Sequence, residues 1–111
     1  MDRLSQYREI IRRVIDGYAE WERRGGDVRA EVVYDPARDH FELLSVGWDG
    51  PRRVHHTVLH LDIIDGKVWV QHDGTDHPVA EELVAAGVPK EDIVLAFKPA
   101  KVRPHTGYAA G

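Results

Sequence analysis

Leu59-His60-Leu61-Asp62-Ile63-Ile64-Asp65-Gly66-Lys67-Val68-Trp69-Val70-Gln71-His72-Asp73 is the stretch that decides how this chain folds. Two runs of alternating apolar and polar residues flank an Asp-Gly pair. Side chains of a strand point to opposite faces in turn, so a period of two marks a half-buried strand. An Asp-Gly between two such runs signals a type I′ hairpin, whose two central residues both need positive φ. With Asp65 and Gly66 as the turn, Ile64 faces Lys67, Ile63 faces Val68, and the register continues outward. One face then carries Leu59, Leu61 and Ile63 against His72, Val70 and Val68. The other carries His56, Val58, His60 and Asp62 against Asp73, Gln71 and Trp69, with His60 across from Gln71 and Asp62 across from Trp69.

The apolar face needs a cover, and the start of the chain offers one. Leu4, Tyr7, Ile11, Val14, Tyr18 and Trp21 recur at steps of three and four, which places them on one stripe of an α-helix, widened by Ile10 and Ile15. Gly17 inside this helix costs about 1 kcal/mol relative to Ala, and Gly25-Gly26 suits its end. Residues 28–34, 40–48, 54–64 and 67–72 read as strands, divided by Asp35-Pro36, Asp49-Gly50-Pro51 and the Asp65-Gly66 turn. Beyond Gly74 a short helix is expected. Thr75 or Asp76 is its cap, Pro78 lies in its first turn, and Val79, Leu83 and Ala86 share one face. Gly87 closes it and Pro89 prevents its continuation. A brief apolar run at 93–97 precedes an irregular tail over about 99–111. The expectation is one α+β domain over residues 1–111: an N-terminal amphipathic helix packed on an antiparallel sheet of about four strands, with a second short helix near the C-terminus.

Composition narrows the function. The 111 residues suit a single domain with one modest core. Fifteen Lys and Arg against nineteen Asp and Glu give a net charge of −4, which opposes binding driven by counterion release from a phosphate backbone. Seven histidines make the charge balance sensitive to pH near neutrality. With no cysteine, disulfides, thiolate metal sites and a Cys nucleophile are excluded. The lack of a long apolar stretch and of a signal-like start leads us to expect a cytoplasmic protein.

The polar hairpin face is the candidate site: His56, His60, Asp62, Trp69, Gln71 and Asp73. Antiparallel sheets commonly wet one side, so a solvated or internally hydrogen-bonded face is one reading. A protein–protein surface is the second, because a Trp and imidazoles among few charges resemble an interface core. A metal or catalytic site is the third. Against it, His56 and His60 lie about 13 Å apart along an extended strand, and His60 with Asp62, about 7 Å apart at the backbone, supply two ligands where three or four are wanted. No metal ligand set and no cofactor is therefore assigned. No phosphate loop, nucleophile elbow or dinucleotide fingerprint occurs, and no catalytic residue is named. Lys98, Lys101 and Arg103 make the tail basic and are the candidate nucleic-acid contacts.

The residues carry a family resemblance as well. Tyr7-Arg8 with Ile11, Asp39-His40, Gly47-Trp48 and Arg53-Val54-His55 resemble the XisI family. So do Leu59-His60-Leu61-Asp62-Ile63, Asp65 through Thr75, Glu82-Leu83-Val84, Gly87-Val88-Pro89-Lys90, Asp92 through Phe97 and Thr106-Gly107-Tyr108-Ala109. The resemblance spans nearly the whole chain in order. The family is named for a factor controlling excision of the fdxN DNA element, where a recombinase cuts and XisI acts alongside XisH. The resemblance implies a small α+β accessory factor, not an enzyme, with an XisH-like protein as partner; a homodimer is our further expectation. Direct DNA binding as an excision accessory factor is the alternative, and a small metal-dependent hydrolase the remaining one. The resemblance brings no catalytic residues with it. Asp76-His77-Pro78 and Lys98 depart from the family's usual residues there.

Overall fold

A computed structural model describes residues 2–22 and 27–111. Its elements run α1 (Arg3–Glu22), β1 (Asp27–Asp35), β2 (His40–Asp49), β3 (Arg52–Ile64), β4 (Lys67–Asp73), α2 (Val79–Ala86) and β5 (Ile93–Leu95), with short 3-10 turns at Lys90–Asp92 and Arg103–His105. The expected helix stop at Gly25-Gly26 lies outside the described residues.

The sheet is mixed and ordered β1-β2-β3-β4-β5. The first four strands form the antiparallel meander that the turn signals imply. The fifth, read in the sequence only as a brief apolar run, pairs parallel to β4 through Val68–Ile93, Trp69–Val94 and Val70–Leu95. Parallel neighbours need a crossover, and α2 supplies it. The tail is also built into the fold: Ala109 N–H donates to Ile93 O at 2.8 Å and Ala109 bridges to Val94.

The core lies between α1, α2 and one face of the sheet. Tyr7, Ile10, Ile11, Ile15 and Tyr18 of α1 meet Phe41, Leu43, Leu59, Leu61, Val68 and Val70 of the strands and Val79 and Leu83 of α2. The apolar stripe of α1 is therefore used, except at its end. Burial along α1 stops at Tyr18, and Trp21 is 79% exposed. The helix runs one turn past the surface that covers it, so a residue in phase with the stripe still meets solvent. Polar ties hold the layers in place. Tyr7 donates to Asp92, Tyr18 to His77 O at 2.6 Å, and Arg8 pairs with both oxygens of Asp39 at 2.7 and 3.1 Å. Burial pushes both the Tyr7 and the Tyr18 phenol up to about 12.

The Asp65-Gly66 turn forms as its chemistry demands, with φ of 51° and 78°. Gly47 answers a different need: a Cβ there would sit 1.8 Å from Asp27 O, so only glycine lets β1 and β2 approach this closely.

Register follows the turn through Ile64–Lys67, Ile63–Val68, Asp62–Trp69 and Leu61–Val70, and then slips. Leu61 pairs with Val70 but His60 pairs with His72, leaving Gln71 as an extra residue in a β-bulge. A second bulge lies on the other edge of β3, where Leu43 pairs with Leu59 but Leu44 pairs with Thr57, and Val58 is extra. Each bulge reverses the alternation beyond it. Val58 is therefore buried beside Leu59 instead of standing on the polar face.

Candidate functional site

The face of the sheet turned away from the helices holds a compact group of titratable side chains. His40 begins β2, and Glu42 follows two residues later on the same face. His60 and Asp62 repeat that spacing on β3. The antiparallel register sets them in reciprocal order, with His40 opposite Asp62 and Glu42 opposite His60. Each imidazole thus has one carboxylate across the strands and one along its own strand.

The distances show how tightly this square closes. His40 Nδ1 lies 2.8 Å from Asp62 Oδ1, and its Nε2 lies 2.8 Å from Glu42 Oε2. His60 Nε2 lies 3.1 Å from Asp62 Oδ2. The two rings meet edge-on with centroids 4.4 Å apart. Gln71 Nε2 donates to Asp62 Oδ2 at 3.2 Å, and Thr57 donates to Glu42 at 3.4 Å. The hydrogen bond to Glu42 raises the pKa of His40 above the ordinary histidine value, with Asp62 adding to the effect and burial opposing it. All four side chains are part-exposed, from 18% for Asp62 to 30% for His40.

Of the six residues expected on this face, His60, Asp62 and Gln71 meet there by direct hydrogen bonds. Trp69 lies across from Asp62, as the turn register requires. It is partly covered, and the Arg103 guanidinium of the tail sits 5.5 Å from its ring centroid. Two residues lie elsewhere. His56 pairs with buried Ser45 and lines a cleft of about 520 Å³ with Glu22 of α1, on the helix side of the sheet. The bulge at Val58 put it there.

Asp73 is carried to the helix side by the bulge at Gln71. Its Oδ2 accepts from Val79 N–H at 2.8 Å, and its Oδ1 accepts from the Thr75 backbone and hydroxyl at 2.9 and 2.6 Å. Pro78 occupies the N-cap position and has no side-chain acceptor, so Asp73 caps α2 from a distance by taking the Val79 N–H, a role expected of Thr75 or Asp76. By the same slip His72, expected on the apolar face, stands exposed opposite His60.

Among the tail residues, Lys98 and Lys101 are exposed. Arg103 is committed to the fold, donating to Lys98 O at 3.0 Å and to Ala96 O at 3.1 Å. A groove of about 350 Å³ between α1 and α2, lined by Arg13, Gly17, Tyr18, Trp21, His77 and Glu82, was not foreseen. Its visible sign in the sequence was Gly17, which has nothing within 4 Å of where a Cβ would stand.

His40 and Glu42 were not foreseen, because they come opposite Asp62 and His60 only through the extra residue at Val58. The signal was present: His-x-Glu and His-x-Asp recur on consecutive strands, and a period of two keeps each pair on one face. Among the described residues, His40, His60 and Asp62 form the one group of three whose metal-ligating atoms all lie close together, within 4.8 Å. No helix of the described residues is long and apolar enough to cross a membrane.

Comparison with known proteins places the chain in a defined company. The family model described as XisI protein matches residues 1–110. The crystal structure of an XisI-like protein from Anabaena variabilis superposes with a TM-score of 0.92 at 39% identity, covering 97% of this chain and 99% of that one. The structure of the fdxN element excision controlling factor XisI from the same organism gives a TM-score of 0.85 at 35% identity, over 99% and 100% of the two chains. No curated protein matches.

Proposed function

This chain belongs to the XisI family, and from that premise we propose that it is a non-catalytic accessory factor that acts by binding a partner protein, an XisH-like one, in a DNA excision system. The family likeness supports the setting, since a similar protein of the same length is a controlling factor for excision of a DNA element. The open face of the sheet supports the mode of action, and its composition is the observation that carries this reading. α1 and α2 cover one side only. The other side presents the His40, Glu42, His60, Asp62 and Gln71 network beside exposed Val33 and Ile64. A non-obligate interface taken as a whole mixes apolar and polar area much as the rest of a surface does, and this face offers both: exposed Val33 and Ile64 for burial, and a part-buried polar network for hydrogen bonds.

Trp69 belongs to this surface at its covered margin, so the anchors of the docking face are His60 and Ile64. His56 and Asp73 are not part of it. Co-expression of a tagged chain with an XisH-like protein tests the proposal. His60→Ala combined with Ile64→Asp should abolish capture of the partner while the circular dichroism melt stays close to wild type. Undiminished capture by the folded double variant would remove this face from the proposal. Direct DNA binding through the tail would draw on exposed Lys101 and on Lys98, whose ammonium lies 5.8 Å from the Phe97 ring centroid, because Arg103 is engaged with backbone carbonyls. A gel shift at moderate salt that rises above non-specific background would revive it.

A further inference from the structure

The geometry points to a divalent transition-metal site on the open face of the sheet, of the zinc class, with His40 Nδ1, His60 Nε2 and the Asp62 carboxylate as ligands and Glu42 as the group that orients His40. The inference does not rest on the partner-binding reading.

Three features carry it. First, the ligand atoms converge. Nδ1 of His40 and Nε2 of His60 approach the two oxygens of one carboxylate at 2.8 and 3.1 Å, and a ligand atom from each of the three residues lies within 4.8 Å of the others. Bonds of about 2.0–2.1 Å to a tetrahedral ion put ligand atoms about 3.3 Å apart, so modest side-chain rotations close the site.

Second, the surrounding groups fit a metal centre. A ligating imidazole fixes its tautomer by donating its other N–H to a carboxylate or carbonyl. With Nδ1 on the ion, His40 donates Nε2–H to Glu42 at 2.8 Å, and Glu42 is held in turn by Thr57. Gln71 does the same service for Asp62. That glutamine is the extra residue of a bulge, a device that re-aims side chains beside functional sites.

Third, the charge and ligand types select the ion. Two imidazoles favour zinc, nickel, copper or iron over calcium and magnesium, and two carboxylates offset a divalent charge. Exposure of about a quarter of each side chain leaves a coordination position for water or for a group from another molecule.

The test uses the full chain, stripped with chelator and titrated calorimetrically with zinc chloride, with magnesium chloride as the contrast. One zinc per chain should bind saturably, with no saturable magnesium uptake. His40→Gln and His60→Gln should each weaken zinc binding at least 10-fold. A His55→Gln/His56→Gln variant should bind as wild type does, since neither residue is in the cluster. Absence of saturable zinc uptake by the wild-type chain overturns the site, as does uptake unchanged in both single variants. Should the variants fold poorly, the wild-type chain alone decides: free zinc at a 100-fold excess over its Kd raises the folding equilibrium constant about 100-fold. No stabilisation under those conditions counts against the site.

Discussion

The two ends of the β3–β4 hairpin obey different rules. At the closed end, four consecutive pairs from Ile64–Lys67 to Leu61–Val70 follow from the positive φ angles at Asp65 and Gly66. At the open end, one extra residue at Gln71 breaks that count. Beyond it, Asp73 turns toward the helices and takes the Val79 N–H. Local turn chemistry sets the register near the turn, and a distant backbone donor sets the side-chain directions farther out. Asp73 continued on the polar face would leave the first turn of α2 without its carboxylate. The bulge costs some ladder hydrogen bonding and gains a cap.

Four substitutions would break or sharpen this contrast. Leu61→Ala should cost the most, about 2–5 kcal/mol, because a fully buried side chain is removed at the last pair before the slip. Urea denaturation would measure it, and a loss below about 1 kcal/mol would mean that the core beneath both ends is less tightly packed than the burial implies. Gly66→Ala probes the closed end. There is open space for the methyl group, so the expected loss of about 1–2 kcal/mol is that of holding a non-glycine residue at positive φ. Asp73→Ala probes the open end and should cost about 1 kcal/mol through loss of the α2 cap. Amide exchange at Val79 should accelerate in that variant, and unchanged protection there would separate Asp73 from the helix start. His60→Ala should be the mildest, below about 1 kcal/mol, since its hydrogen bond to Asp62 is part-exposed. A larger loss in thermal melts would make the His40–Asp62 square a pillar of the fold instead of a surface feature.

Much of the architecture was legible. The stripe of α1, the four strands of the meander, the Asp65-Gly66 turn and the Gly87 stop of α2 all rest on patterns within a few residues. Each reflects a backbone preference that acts before the chain is packed. The candidate site was legible in half. His60, Asp62, Trp69 and Gln71 share a face because they lie within reach of the turn's register or hydrogen-bond across it. His56 and Asp73 were misassigned to that face because a bulge leaves no mark in a binary pattern: Val58 and Gln71 look like ordinary members of their strands.

Local patterning was enough for the elements, their order and the apolar side of the hairpin, since strand and helix periods and turn conformations depend on near neighbours. Packing in three dimensions was needed for the rest: the parallel fifth strand, the tail folded over Trp69, the exposure of Trp21, the capping by Asp73 and the meeting of His40 with His60 and Asp62. These depend on contacts between residues far apart in the chain. A bulge or a crossover is chosen by which distant polar groups it satisfies, and no run of adjacent residues contains that information.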